Sequence, residues 1–355
     1  MVLIPKERNS SLELLRIISM LLIMCAHFVV HGKYPVPTID TFSLNYIALQ
    51  VIGSYAYVGV AAFMLITGYF MITSESRSVR KVIKLVTDII FYSLILLFLC
   101  YVLKLIPLTN TDLFGSIMPW GYYWFVLNYI IILLIAPYLN KLLIQLAKKQ
   151  YLYLIAVGVV TLRILPCVLF GHFSVTSGTL DYFLLFYVIG GYIRLHVPKS
   201  EQNGRYLLVS MAMFLLVVLI AIIVDFVALR TGNNGLLKDY MHFRGLDSIP
   251  VDICAIALFL YFRNLVFVSK TVNNVARYTL DVYLVHENRL MMKVFWGGGH
   301  FSLQLFSSHW FWLFAVGDIF LVYTLCTMIG WCKRKTWDVI FGKFLDRIEN
   351  KHIRI

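Results

Sequence analysis

Charge is what this chain has least of. Only 14% of its 355 residues are Asp, Glu, Lys or Arg, against about 25% in a soluble domain. That shortage excludes a globule solvated mainly by water. Cysteine supplies no alternative framework. Cys25, Cys100, Cys167, Cys254, Cys326 and Cys332 fall in or beside apolar runs and form no Cys-x-x-Cys pair, so they read as small buried hydrophobes. The nine histidines contain no His-x-x-His or His-Glu-x-x-His, and no Cys/His cluster is present, so no metal site is expected. A phosphate-binding P-loop is missing, which argues against ATP-driven transport, and so is a Gly-x-Ser-x-Gly nucleophile elbow. No internal repeat, low-complexity tract or soluble domain interrupts the pattern.

What fills the chain instead is hydrophobic residues, 60% of the total, with 26 Phe, 22 Tyr and 7 Trp available for interfacial belts. Apolar runs lie at 12–31, 50–72, 83–107, 121–139, 151–170, 180–196, 206–229, 248–266, 278–296 and 310–332. Each is about the length that crosses a hydrocarbon core as a helix. The expected fold is an all-α, polytopic integral membrane bundle of about ten transmembrane helices, with a membrane domain over 1–332 and a basic amphipathic tail over 333–355. Ten spans put both termini on one side. With that side cytoplasmic, 22 of the 31 Lys and Arg residues fall inside, six fall outside and three lie within spans. This is the positive-inside pattern. The formal net charge of +13 therefore reflects topology and contact with anionic lipid, not nucleic acid. The first run carries Glu13 and Arg16 and lacks a small-x-small cleavage site, so it is expected to be a retained helix. In the tail, Trp337, Ile340, Phe341, Phe344, Leu345 and Ile348 recur at helical spacing and suit a helix lying on the inner surface.

An ionisable residue inside a span is costly and usually functional. The first span holds several. Glu13 and Arg16 are three apart and can pair on one face. Arg16 and His27 are eleven apart, close to three whole turns, which puts them on a common face about 16 Å apart along the axis. The result is a polar stripe reaching from the cytoplasmic end into the membrane. Taken singly, Arg16 could snorkel and His27 could donate to a neighbouring helix, but neither explains a stripe of three.

These residues resemble the acyltransferase-3 family of integral membrane acyltransferases, whose first helix carries an acidic residue, a Leu-Arg pair and a His eleven positions after the Arg. Here those are Glu13, Leu15-Arg16 and His27, with Glu where many members have Asp. The likeness continues in order along the chain. It takes in Val58-Gly59-Val60 through Ile66-Thr67-Gly68-Tyr69, Arg77-x-x-Arg80, Tyr123-Trp124-Phe125 with Pro137, and Tyr283-Leu284-Val285-His286 after Thr279. Some members append a soluble hydrolase-like domain, where this chain has its basic tail.

The resemblance implies an enzyme of the bacterial plasma membrane that takes an acetyl group from cytoplasmic acetyl-CoA. Its acceptors would be hydroxyls of a surface, capsular or exopolysaccharide glycan or its lipid-linked precursor. It casts His27 as base or acyl relay, since a His near neutrality suits proton transfer, and Arg16 with Glu13 as the polar core. Arg77 and Arg80, with Lys81 and Lys84 beside them, are expected to hold donor phosphates, although an inner loop is basic for topology alone. His286, with Arg289 at i+3 on its side, is a second base candidate. Tyr123 and Trp124 are candidates to line the donor or sugar channel. A transporter or flippase for an anionic solute or glycolipid is the main rival, and paired Gly/Pro-broken spans would favour it. A glycan polymerase would want a large outer loop, and a purely structural partner leaves the stripe unexplained.

Overall fold

The computed structural model describes residues 9–32, 34, 42–74, 78–165, 179–201, 203–233, 245, 248–297 and 306–342. Among these the chain is helices and short connections, with no strand. In chain order the helices are α1 (Ser10–His31), α2 (Leu44–Gly53), α3 (Ala56–Met71), α4 (Ser78–Val102), α5 (Asn110–Ile117), α6 (Trp124–Gln145) and α7 (Lys148–Val159). They continue as α8 (Thr179–His196), α9 (Asn203–Thr231), α10 (Ile249–Asn264), α11 (Lys270–Ala276), α12 (Thr279–His286), α13 (Arg289–Met292) and α14 (Phe311–Lys335).

Among the described residues, six helical stretches are long and apolar enough to cross a membrane: Ser10–His31, Leu44–Met71, Val79–Val102, Trp124–Gln145, Asn203–Thr231 and Phe311–Gly342. The remaining expected runs are helical where described but differ in form. The run at 151–170 turns into a π-helical stretch at Val160–Ile164 and then leaves the described residues. The runs at 180–196 and 248–266 form α8 and the 16-residue α10, both carrying charges. The run at 278–296 is not one helix. It divides into α12, α13 and a π-helical stretch at Lys293–Gly297. Residues 337–342 of the tail are helical, and Trp337 stacks on Phe91 of α4 with ring centroids 4.9 Å apart. Phe344, Leu345 and Ile348 lie outside the described residues.

Helix α1 is the axis of the fold, because its two apolar faces serve two different cores. Leu12, Leu15 and Ile23 pack with α3, α8 and α10, whereas Met20, Met24 and Phe28 pack with α4, α12 and α14. The i, i+4, i+8 spacing of the second set is one helical stripe. Its depth is set at the N-terminus. Asn9 caps the helix by accepting from Ser11 N, and Asn9 Nδ2 and Ser11 Oγ both donate to the Leu265 carbonyl, at 3.2 and 3.0 Å. Ser10 N donates to the Phe267 carbonyl and Ser10 Oγ accepts from Ser269 N at 2.7 Å.

Without a hydrophobic force between helices in lipid, close packing of small residues holds such a bundle. A Cβ on Gly68 would overlap the Tyr187 carbonyl, and one on Gly190 would overlap the Leu65 carbonyl. That contact brings α3 and α8 backbone to backbone. Charges within the bundle are mostly neutralised locally. Arg163 donates to Asp252 at 3.0 Å and lies 5.0 Å over the Tyr182 ring.

Candidate functional site

The expected pair on α1 is present. Arg16 Nη1 lies 3.2 and 3.0 Å from the two Glu13 oxygens. This pair lines a cavity of about 620 Å³, together with Thr67, Tyr129, Arg277 and Arg334. Farther along the same helix, His27 and His31 line a second cavity of about 250 Å³, which also involves Tyr57, Trp124 and Glu287. Ile23, Phe125 and Tyr283 line both cavities, so these three side chains form the wall between them. The Phe125 and Tyr283 ring centroids are 5.4 Å apart. The α1 stripe thus runs past two chambers with one apolar partition, at the turn of Ile23.

The second chamber holds the residues that can move a proton. His27 Nδ1 is 2.8 Å from Glu287 Oε2 and 3.0 Å from His286 Nε2. His286 Nδ1 is 2.7 Å from the Val282 carbonyl, which only accepts. That bond puts the His286 proton on Nδ1 and leaves its Nε2 an acceptor. His27 therefore carries its proton on Nδ1, shared between the carboxylate and His286 Nε2. Its own Nε2 is left as the basic nitrogen. A carboxylate holding one imidazole nitrogen so that the other acts as base is the arrangement of a hydrolase triad. His286 is fully buried, while His27 keeps 17% of its side chain exposed.

The break after α12 makes this possible. Asn288 caps α13 by accepting from Leu290 N at 3.0 Å, so the helical ladder restarts there. Glu287 sits at the joint, next to His27. Tyr123 braces the joint, donating to the Leu284 carbonyl at 2.9 Å and accepting from Asn288 Nδ2 at 3.2 Å. Tyr123 is buried behind the site and lines neither cavity, whereas Trp124 does line the second. The break also corrects the placing of Arg289 beside His286. Arg289 instead bonds Asp112 of α5 at 2.9 Å, and Lys293 bonds the same carboxylate at 2.6 Å. Burial pushes the Asp112 carboxyl up, but the hydrogen bonds from Lys293 and Thr109 outweigh this and hold it below the usual carboxylate range.

The basic loop residues fall elsewhere. Arg77 lies outside the described residues, and Arg80 is exposed on the first turn of α4. Lys84 bonds Asp88 at 3.1 Å and Asp338 at 3.2 Å, away from the lining of either cavity.

His27, His286 and Glu287 also have the donor set of a cation site, with ligand atoms within 4.8 Å of one another. Their closest separations of 2.8 and 3.0 Å are hydrogen-bond lengths, shorter than the edge of about 3.3 Å that bonds near 2.0 Å in a tetrahedron would give. The geometry thus favours shared protons. A pair of histidines far apart in sequence gives no spacing motif, which is why sequence reading missed the cluster. Glu287 was missed as well, although an acidic residue inside an apolar run is a signal that could have found it.

Neither a curated protein nor a solved structure matches the chain. A family model for an acyltransferase domain matches residues 9–332, nearly the whole of it. That stretch contains the α1 stripe, both cavities' main walls and the His27, His286 and Glu287 cluster, and the chain belongs to the acyltransferase-3 family of membrane acyltransferases.

Proposed function

We propose that the protein is an O-acyltransferase that takes an acetyl group from cytoplasmic acetyl-CoA. The group passes to hydroxyls of a cell-surface, capsular or exopolysaccharide glycan or its lipid-linked precursor. The observation that carries this reading is the His27 base. A carboxylate and a second histidine fix its tautomer, and a thin wall separates it from a larger cavity containing Arg16. The topology is ten spans with both termini cytoplasmic in a bacterial plasma membrane, supported by the bias of Lys and Arg to one side. In it the Arg16 cavity opens toward the cytoplasm and the His27 cavity lies deeper.

The donor enters the first cavity, where Arg16, with its charge balanced by Glu13, meets its polar portion. Arg77, Arg80 and Lys84 add a basic approach that raises the local concentration of an anionic donor. The uncharged pantetheine arm is thin enough to pass the Ile23, Phe125 and Tyr283 wall and present its thioester near His27. His27 Nε2 takes the proton of the acceptor hydroxyl as the oxygen attacks the thioester carbonyl. The tetrahedral adduct then expels the CoA thiolate, which takes that proton back from His27. The imidazolium that forms in between is stabilised by Glu287, and His286 keeps the ring in register. Trp124 and Tyr57, facing the same chamber, offer aromatic surface for a sugar ring.

The test is glycan O-acetylation in cells carrying His27→Ala or Arg16→Ala at normal membrane level. Loss of the acetyl ester in both supports the reading. Fully acetylated glycan in either variant removes that residue from the reaction.

A further inference from the structure

The larger cavity has more cationic groups than its one carboxylate can balance. Arg16, Arg277 and Arg334 line it with Glu13 as their counterpart, and Glu13 is already in contact with Arg16 through both oxygens. Arg277 follows α11 and makes no ion pair among the described residues. Arg334 lies near the end of α14, beyond the stretch that the family model matches. Its side chain is held from behind. Nε is 3.1 Å from Asp281 Oδ2, Nη2 donates to the Arg277 carbonyl, and the guanidinium lies 4.9 Å over the Tyr278 ring. This last carbonyl bond ties the two arginines to one another.

Asp281 is itself immobilised. Its Oδ1 accepts from Lys333 Nζ at 3.2 Å and from Tyr92 at 3.0 Å, and Lys333 reaches Asp88 at 2.7 Å. Gly330 lets this happen, because a Cβ there would lie 2.7 Å from the Asp281 Cβ. The network therefore fixes one edge of the Arg334 guanidinium. Its remaining N–H groups, and those of Arg277, are left at the cavity.

We propose that Arg277 and Arg334 form a clamp for phosphate oxygens at the mouth of the larger cavity, and that the nucleotide phosphates of the acyl donor are what it grips. This rests on the acyl-CoA reading above. Two planar guanidinium forks, one held by Asp281 and one exposed beside it, suit the paired oxygens of a diphosphate better than a lone point charge does. The placement also gives the donor a direction. The phosphates stay at the charged end, and the uncharged arm runs inward along the α1 stripe. An arginine held from behind by Asp281 loses less conformational freedom on binding than a free one.

The experiment compares acetyl-CoA with S-acetylpantetheine, a thioester that has the arm but no phosphate. Purified protein in detergent or nanodiscs is assayed as wild type, Arg277→Gln, Arg334→Gln and the double variant. Each single change is expected to lower kcat/KM for acetyl-CoA roughly tenfold or more through KM, the loss of one charge-assisted contact. The phosphate-free thioester should give the same slope in every protein. Arg277→Gln is the cleaner variant, because among the described residues Arg277 supports no ion pair whose loss would disturb folding. Equal losses on both thioesters, or none on acetyl-CoA, overturn the clamp while leaving the acyltransferase intact. A wild-type protein that turns over neither thioester overturns the donor assignment, and the clamp with it.

Discussion

Two buried polar clusters flank the short helix α12, and they are built on opposite plans. At its N-terminal end, Lys333 is surrounded by Asp88, Asp281 and Asp338 at 2.7, 3.2 and 3.3 Å, with Lys84 and Arg334 completing the set. Each carboxylate there has at least two cationic partners, while Arg334 is paired along one edge and lines the larger cavity. At its C-terminal end, His27, His286 and Glu287 share a single short contact network, and the ring of His27 faces a cavity. The first cluster spends its charges on one another and ties α4, α12 and α14 together. The second leaves one nitrogen, His27 Nε2, uncommitted among the described residues. Buried charge that is fully partnered reads as scaffold, whereas buried charge left short of partners beside a cavity reads as chemistry.

That contrast can be broken experimentally. The largest effect belongs to the uncommitted nitrogen. His27→Ala is expected to lower the acyl-transfer rate about 10²–10⁴-fold with little change in thermal unfolding midpoint. Glu287→Gln keeps the shape but removes the charge that orients the ring, and should give a smaller loss of the same kind. A large drop in midpoint for either would move this cluster into the scaffold class.

In the saturated cluster the effects should be reversed. Asp281→Asn leaves Lys333 buried and less neutralised, at a cost of about 3–5 kcal/mol, visible as a lower unfolding midpoint in detergent. Replacing Asp281 and Lys333 together with apolar residues of similar size should recover part of that loss, since no net charge is left behind and Asp88 and Asp338 keep Lys84, although Arg334 loses its carboxylate. Failure to recover would mean that the network does more than hold helices.

A smaller effect is expected at Asp112, which lies outside the spanning helices and is held below its ordinary range. A carboxylate depressed in the folded state contributes stability above its unfolded value, about 3.9. That contribution disappears as pH falls through the folded value. Wild-type midpoints should therefore fall in acid below about pH 4, and Asp112→Asn should be less stable at neutral pH with a flatter acid limb. Equal acid limbs would show that Arg289 and Lys293 do not depend on this carboxylate.

The smallest effect concerns metal. Dialysis against a chelator should leave the rate unchanged if the three donors share protons. A loss restored by Zn²⁺ would convert the cluster to a cation site.

Much of this was legible from local pattern. Hydropathy marked the membrane class, and the Glu13/Arg16 spacing foretold an ion pair that the structure contains, because i and i+3 on a helix meet whatever surrounds them. The eleven-residue step to His27 put both residues on one face for the same reason. Pairing His286 with Arg289 failed because that reasoning assumed an unbroken helix. Asn288 restarts the ladder and sends Arg289 to Asp112. Arg277 and Arg334 read as ordinary inner-side charges, since neither the composition of a connection nor the basic end of a helix says what cavity it borders.

The sequence alone determined the solvent of this protein, its helical class and the polar stripe of α1, because burial in lipid and helical periodicity act over a few turns of chain. Only the tertiary structure decided which residues meet the stripe. His27 and His286 are 259 positions apart, and Asp281 and Lys333 come from different helices. Such contacts depend on how α12 breaks and where Gly330 lets it settle, which no local pattern encodes.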